Sequence, residues 1–196
     1  VGDGALSRAL WDAFPTCRLT CVDISQRRLQ AAEELLRADG CPDGGARFVA
    51  CNLDTKFGTF PGASQDVVIA LDIMEHVFDV FGFLANCRRV LREGGQLVLR
   101  VPNIAYIRHR ARLLVGELPV TASWFGPEGE LGGWRDRYGW DGGHLHYFTL
   151  PMLRKLLTES GFRVEGCHDA GARFQRLRDL LPGLLYGNLL MVASRA

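Results

Sequence analysis

The chain opens on Val-Gly-Asp-Gly at residues 1–4, and the apolar run Leu-Thr-Cys-Val at residues 19–22 ends at Asp23. Glycines at alternate positions let a backbone turn tightly and approach a ligand without an intervening Cβ atom. An acidic side chain at the tip of the next strand can then accept hydrogen bonds from two ribose hydroxyls. The spacing predicts an α/β fold that holds a nucleotide-like ligand. Such a glycine turn follows a buried strand, so we expect this chain to begin inside the motif.

The composition is that of a globular domain able to bury a core. The 196 residues are 47% hydrophobic and 23% charged, with a formal net charge of +1. This near-neutral charge argues against a broad nucleic-acid surface. No apolar run reaches the roughly 18–20 residues that a membrane span needs. The six cysteines form no C-x-x-C pair, which argues against a zinc site and favours a reducing cytoplasm.

Helical and strand periods alternate along the chain, which indicates a mostly parallel sheet. Strands are predicted at 18–23, 46–51, 66–71, 96–101, 162–167 and 189–193. Helices are predicted at 5–14, at 25–39 with Ser25 as N-cap, after residue 76 as far as Gly94-Gly95, at 103–114 and at 149–161. The strand at 66–71 is continuously apolar, which is typical of a strand buried on both faces.

Three of these helices have a predicted inward face. These faces are Leu29, Ala32 and Leu36 in the first; Val77, Phe81, Leu84 and Leu91 in the second; and Ile104, Ile107, Ala111 and Leu114 in the third, capped by Asn103. Residues 116–146 are rich in glycine, tryptophan and charge without a clear period. We interpret 116–148 as a substrate lid within a single domain spanning 1–196.

The order of the motifs resembles class I S-adenosylmethionine-dependent methyltransferases over nearly the whole chain. The matching segments are the glycine turn at 2–4, Asp23, Asn-Leu-Asp at 52–54, Asp-Val-Val-Ile at 66–69, Glu-His-Val at 75–77, Arg-Val-Leu-Arg-Glu-Gly-Gly at 89–95, Val-Pro-Asn at 101–103, and the ending from His144 through Phe148-Thr149 to Gly161-Phe162. The resemblance implies a doubly wound, mostly parallel seven-stranded sheet. The first strand of that sheet is absent here, so we expect a truncated chain.

The resemblance also implies a function. It predicts a cytoplasmic enzyme that transfers the methyl group of S-adenosylmethionine to a small-molecule acceptor, preferably at oxygen. The implied cofactor-binding residues are Gly2 and Gly4 at the cofactor backbone, Asp23 at the ribose, Asn52 and Leu53 at the adenine, and Leu71 and Asp72 at the methionine end. Ile24 is also a predicted cofactor-binding residue. Asn52 stands where the family usually has an aspartate, and its side-chain carbonyl can still accept a hydrogen bond from the adenine amine.

Methyl transfer needs alignment and exclusion of water more than it needs catalytic side chains. For a hydroxyl acceptor, a general base would accelerate the reaction further. His144 matches a family position and His146 does not, so His144 is the candidate base, with Asp141 as a partner that could orient it. A histidine that only ties the lid to the body of the fold is an equally good interpretation.

Asp72, Glu75 and His76 form a D-x-x-E-H pattern on one helix face. It resembles the E-x-x-E-H of ubiquinone-pathway O-methyltransferases and small-RNA 2′-O-methyltransferases, which bind a divalent metal. Mg²⁺ held by this pattern is one interpretation. A full ligand set cannot be read from the sequence, so we favour the metal-free alternative in which Glu75 and His76 support the site.

Several alternatives stay open. The chain could be a non-catalytic scaffold with the methyltransferase fold, or a nicotinamide-dependent oxidoreductase. The basic stretch 106–112 is interpreted as a solvated face, with a clamp for an acidic or lipid-attached acceptor as the alternative. An aromatic group could line an acceptor pocket or form the core of the lid; it consists of Trp124, Trp134, Tyr138 and Trp140. The sequence does not predict the oligomeric state.

Overall fold

The structure, a computed structural model, describes residues 1–2, 4–55, 57–119, 121, 143–169 and 174–196. The chain divides into two compact units, Val1–Thr59 and Phe60–Ala196. Most of the predicted lid, together with Asp141 and the four aromatic residues assigned to the lid, lies outside the described residues. The single domain over 1–196 therefore stays a prediction.

The amino-terminal unit alternates helices and strands as the sequence predicts. Its elements are α1 (Ala5–Ala13), β1 (Leu19–Asp23), α2 (Gln26–Ala38), β2 (Ala46–Ala50) and a 3₁₀ turn (Phe57–Thr59). Strands β1 and β2 pair in parallel. Helix α2 begins as predicted, because the Ser25 hydroxyl accepts a hydrogen bond from the backbone N of Arg28 at 3.4 Å. The predicted inward face of α2 is buried.

Gly4 is buried against helix α2. Its φ is +87°, and a Cβ atom built on it would lie 2.9 Å from the Cα of Ala32. Gly2 has a φ of +61°, but a Cβ atom there would meet nothing within 4 Å. Close packing of the first helix against the second therefore explains the glycine at position 4. At position 2, only the positive φ favours glycine, because the surrounding described atoms leave room for a Cβ atom.

Gly4→Ala is expected to lower the free energy of unfolding by about 2–4 kcal/mol. About 1–2 kcal/mol comes from the left-handed backbone and the rest from overpacking against Ala32. Gly2→Ala carries only the backbone cost, about 1–2 kcal/mol, and serves as the matched control. Urea denaturation measures both variants. Equal losses would show that the contact with Ala32 does not determine the residue at position 4.

The carboxyl-terminal unit is built on a four-stranded sheet with the order β3-β4-β6-β5. Strands β3 and β4 are parallel, and β6 runs antiparallel to both β4 and β5. Its elements are β3 (Gln65–Leu71), a 3₁₀ turn (Met74–His76), α3 (Val80–Val90), β4 (Leu91–Pro102), α4 (Ile107–Leu114), α5 (Leu150–Glu159), β5 (Phe162–His168), α6 (Gln175–Arg178), α7 (Pro182–Leu185) and β6 (Asn188–Arg195). Among the described residues, no helix is long and apolar enough to cross a membrane.

The predicted boundaries of helix α3 are wrong, and its predicted inward face is right at Leu84 but wrong at Phe81. Asp79 caps the helix by accepting a hydrogen bond from the backbone N of Gly82 at 2.8 Å. Phe81 is 66% exposed, and the helix buries Val80 and Phe83 beside Leu84. Leu91 is buried, but it begins strand β4, which continues through Gly94-Gly95.

Two further predictions about local structure are corrected. Strand β3 is not buried on both faces, because it forms an edge of the four-stranded sheet and exposes Val67. Asn103 does not cap helix α4, which begins at Ile107 after Tyr106. Asn103 is instead fully buried, and its side-chain NH₂ donates to the carbonyl oxygens of Gly183 and Tyr186. The predicted inward face of α4 is also wrong, because that helix has no buried residue.

Candidate functional site

In the amino-terminal unit, the Asp23 carboxylate lies beside the glycine turn. Asp23 ends strand β1, so its side chain stands at the carboxyl edge of the β1–β2 pair. Its Oδ2 atom accepts hydrogen bonds from the Val1 amino group at 3.2 Å and from the backbone N of Gly2 at 3.3 Å. Its Oδ1 atom accepts one from the backbone N of Ser25 at 2.9 Å. The glycine turn and Asp23, whose spacing in the sequence predicted a ligand site, therefore lie next to each other in the structure.

These hydrogen bonds keep the Asp23 carboxyl ionised. Burial opposes ionisation, since only 9% of the side chain is exposed. The bond from Ser25 N, the positive charge of the Val1 amino group and the bond from Gly2 N outweigh that effect, so the pKa of Asp23 is lowered. The result is a partly shielded anion at a strand end, which suits an acceptor for hydroxyl donors.

The residues predicted at the adenine lie near Asp23 in the same unit. The backbone N of Cys51 donates to the backbone O of Asp23 at 3.0 Å, which places Asn52 and Leu53 directly after this contact. The Asn52 side-chain Oδ1 accepts a hydrogen bond from the backbone N of Asp54 at 2.9 Å, which forms a tight local turn. Ile24 is 70% exposed, so a flat apolar ligand could cover its side chain.

In the carboxyl-terminal unit, Asp72 follows strand β3 and is bound by an arginine. The Arg100 Nε atom donates to both carboxylate oxygens of Asp72 at 3.0 and 3.1 Å, and its terminal nitrogen also contacts Oδ2. Strand register explains the pair, because Leu71 is opposite Arg100. Asp72 has a φ of +55°, a strained conformation for a non-glycine residue. Arg100 was not among the predicted site residues. Side chains alternate between the two faces of a strand, so an arginine in the apolar strand β4 could have been noticed as a polar position on one face.

Glu75 is the most unusual polar group of the described residues. It is completely buried in the turn after β3, and neither of its carboxylate oxygens has a hydrogen-bond partner among the described residues. The pKa of Glu75 is raised to about 7. Burial is the main cause, and the nearby negative charge of Asp72 acts in the same direction. Sequence reasoning gave Glu75 only a supporting role, because nothing in the D-x-x-E-H pattern shows that its carboxyl is buried.

His144 faces Glu75. The Nε2 atom of His144 lies 4.0 Å from Oε1 of Glu75, and only 3% of the histidine side chain is exposed. The other ring nitrogen, Nδ1, is 2.8 Å from the Thr121 hydroxyl. The backbone O of Glu75 accepts hydrogen bonds from the backbone N atoms of Leu145 and His146, which fixes this segment against the turn. His144 therefore sits at a buried carboxyl, while His146 donates from Nε2 to the Val77 carbonyl at 2.9 Å.

His76 completes a cluster of three possible metal-ligating residues. One donor atom each from Glu75, His76 and His144 lies within 4.8 Å of the others. The Nδ1–H of His76 donates to the Gly143 carbonyl at 2.6 Å, which places its lone pair on Nε2 when the ring is neutral. Two imidazoles and one carboxylate do not match the oxygen ligands that Mg²⁺ prefers, and Asp72 is bound by Arg100. The site therefore does not fit Mg²⁺ as the D-x-x-E-H pattern suggested.

Comparison with known proteins identifies the family. Residues 1–97 match the family model described as a methyltransferase domain. An S-adenosylmethionine-dependent methyltransferase from Mesorhizobium loti has the same fold, with a TM-score of 0.66 and 20% identity over 99% of this chain and 87% of that one. Residues 1–97 belong to the methyltransferase-domain family, and the chain has the fold of class I S-adenosylmethionine-dependent methyltransferases. This confirms the predicted family and the α/β fold class, and S-adenosylmethionine is the cofactor of that family.

Other members of the methyltransferase family are more distant or match only in part. A probable S-adenosylmethionine-dependent methyltransferase from Mycolicibacterium smegmatis is 44% identical over 43 residues, which cover 22% of this chain and 17% of that protein. The match thus spans less than a fifth of the length of that relative. A complex of the Haloferax volcanii Trm112 methyltransferase activator with a methyltransferase also shares the fold, with a TM-score of 0.63 and 19% identity over 99% of this chain and 79% of that one.

Proposed function

We propose that this chain uses S-adenosylmethionine to methylate a small-molecule acceptor at oxygen. The observation that supports the proposal is the Asp23 carboxylate at the end of β1, 3.3 Å from the backbone N of Gly2. A shielded carboxylate next to a glycine turn is suited to accept hydrogen bonds from the hydroxyls of a ribose. When bound, S-adenosylmethionine supplies a methyl group already activated by its sulfonium.

The other cofactor-binding assignments follow from chain position. Asn52 and Leu53 come directly after the contact between β1 and β2, where Ile24 offers an exposed apolar surface for the adenine. Leu71 and Asp72 end strand β3 and are assigned to the methionine end. The bond from Arg100 fixes the orientation of the Asp72 carboxylate, so the amino group at the methionine end of the cofactor would meet an oriented hydrogen-bond acceptor.

His144 is assigned as the general base. Its imidazole is almost fully buried, which excludes water, and its Nδ1 atom is oriented by the Thr121 hydroxyl. In the neutral tautomer that donates Nδ1–H to the Thr121 oxygen, the Nε2 lone pair would accept the hydroxyl proton of the acceptor while that oxygen gains the methyl group and the sulfonium leaves as a neutral thioether. Glu75, 4.0 Å from Nε2, would stabilise the imidazolium that forms. The positions of Glu75 and Thr121 around the ring support this role.

His144→Gln is expected to lower kcat by about 100-fold or more, which is the usual contribution of a general base. His146→Gln is the matched control, because the His146 ring donates to the Val77 carbonyl at 2.9 Å rather than facing Glu75, and this variant should keep kcat within a few-fold. The assay follows labelled methyl transfer from S-adenosylmethionine to hydroxylated metabolites. The dissociation constant for S-adenosylhomocysteine should stay the same in both variants.

Three outcomes of these measurements would contradict the proposal. Tight binding of S-adenosylhomocysteine without transfer to any acceptor would favour the scaffold alternative. Preferential stabilisation by NAD would favour the oxidoreductase, and a thermal-shift comparison at about a hundred times the dissociation constant detects either ligand. Equal loss of kcat in the two histidine variants would assign His144 a structural role.

A further inference from the structure

Helices α4, α6 and α7 have no buried residue, whereas α2, α3 and α5 each bury at least three. A short helix in water gains most of its stability by packing an apolar face against something else. Helix α4 has eight residues, and its Leu114 is 88% exposed. Val115, just after the helix, is 73% exposed. Apolar side chains on and just after helix α4 are therefore left exposed to solvent.

A second segment with the same property precedes strand β6. Phe174 is 79% exposed and Leu180 is 72% exposed, and Leu177 and Leu181 are also exposed. We call residues 107–118 and 174–181 together the exposed apolar surface. Exposed apolar side chains that cluster in this number mark an interaction site more often than scattered ones do.

Both segments are connected to the same end of the sheet, next to the buried Asn103. Strand β4 ends at Pro102, which is opposite Asn188 at the start of β6. The next residue, Asn103, donates from its side chain to the Gly183 carbonyl at 3.1 Å and to the Tyr186 carbonyl at 2.8 Å. Helix α4 therefore leaves the sheet where the second segment returns to it.

The charges on this surface indicate what binds there. Helix α4 carries Arg108, Arg110 and Arg112 and no acidic residue, and α6 adds Arg176. The surface has two acidic residues: Glu117 pairs with Arg112 at 3.2 Å, and Asp179 accepts hydrogen bonds from Gln175 and Tyr186. The arginines therefore outnumber the acidic residues. Exposed leucines interleaved with arginines on a short helix are typical of a helix that lies in a membrane interface. A twofold contact between copies would place these arginine rows against each other, which is unfavourable.

We propose that the exposed apolar surface binds the interface of an anionic phospholipid bilayer. The leucines and Phe174 would enter the boundary between headgroups and acyl chains, and the arginines would contact the phosphates. The chain would lie on the bilayer without crossing it. This proposal does not depend on methyl transfer, so its test and the activity assay can fail separately.

Vesicle co-sedimentation of the full chain tests the proposal. Vesicles of phosphatidylcholine with phosphatidylglycerol should bind the chain at least tenfold more strongly than phosphatidylcholine alone, and binding should weaken as salt rises. Leu114→Glu and Leu180→Glu should each reduce binding about tenfold or more. Phe81→Glu is the matched control, because Phe81 is 66% exposed on α3 outside this surface, and binding should stay within twofold.

Each other result overturns the proposal. No binding to anionic vesicles would do so, and so would equal losses in the Leu114→Glu and Phe81→Glu variants. Sedimentation velocity without lipid gives a further readout: a dimer that Leu114→Glu dissociates would assign the surface to a second copy of the chain. Circular dichroism checks that the variants fold, which we expect because both leucines are more than two-thirds exposed.

Discussion

Asp23→Ala is expected to weaken the binding of S-adenosylhomocysteine by about 100-fold. The variant loses two hydrogen bonds from ribose hydroxyls to a carboxylate, each worth about 1.5 kcal/mol, the low end of the range for bonds to charged groups. Isothermal titration calorimetry measures the change. Because the pKa of Asp23 is lowered, the carboxylate stays ionised at neutral pH, and the affinity of the unaltered chain should not change between about pH 6 and pH 8.

Two further variants make the Asp23 result specific. Asp43→Ala removes an exposed carboxylate from the same unit and should change the affinity less than twofold. Asp23→Asn keeps an oxygen that can accept a hydrogen bond from the backbone N of Ser25 but loses the negative charge. This variant therefore distinguishes the effect of the local turn from the effect of the charge on ligand binding. Undiminished affinity in Asp23→Ala would contradict the ribose assignment.

Stability is expected to fall as pH rises from about 4.5 to about 7, because of Glu75. The ordinary pKa of a glutamate is 4.5, and burial raises that of Glu75 to about 7 in the folded chain. Between these values the folded chain binds more protons than the unfolded chain, so the free energy of unfolding decreases with pH. A pKa difference of about 2.5 corresponds to a loss of about 3 kcal/mol.

Glu75→Gln should remove most of this pH dependence, because the amide has a similar shape and no charge to bury. Above pH 7 the variant should be more stable than the unaltered chain. Urea denaturation from pH 4.5 to pH 8 gives the comparison, with a chelator present so that no ion occupies the cluster of Glu75, His76 and His144. Glu159→Gln alters an exposed carboxylate on α5 and should keep the original profile. An unaltered profile in Glu75→Gln would show that Glu75 is ionised in the fold.

Local sequence predicted the fold wherever neighbouring residues decide the structure. Helix α2 begins after Ser25 and buries Leu29 and Leu36 because its cap and its helical period agree. Helix α3 is shorter than its sequence predicts, because Asp79 caps its start and Leu91 already belongs to β4. The face that packs inward runs through Val80, Phe83 and Leu84, and it leaves Phe81 exposed.

Features that depend on the order of strands could not be read from the chain. Strand β3 has an apolar sequence, but its place at the edge of the four-stranded sheet leaves Val67 exposed. Asn103 has the residue type of a helix cap, yet it is buried by contacts with residues about eighty positions later. The exposed leucines of α4 likewise follow a helical period that sequence alone would assign to the core.

The candidate site also combines features that local sequence predicts with features that depend on contacts between distant residues. The proximity of Gly2 and Asp23 was predictable, because consecutive βα units place their strand ends at one sheet edge. The pair between Asp72 and Arg100 depends on register between β3 and β4, which the sequence does not encode locally. The buried carboxyl of Glu75 depends on the segment that carries His144, which packs against it from a distant part of the sequence, so the sequence does not predict it.

The central claim is that the Asp23 carboxylate binds the ribose of an adenosyl donor. The most direct measurement compares S-adenosylhomocysteine with its 2′,3′-dideoxyribose analogue, titrated calorimetrically into the unaltered chain and into Asp23→Ala. We expect the unaltered chain to prefer the ligand with both hydroxyls by about 100-fold and Asp23→Ala to show almost no preference, a coupling of about 2–3 kcal/mol. The same preference in both proteins would contradict it.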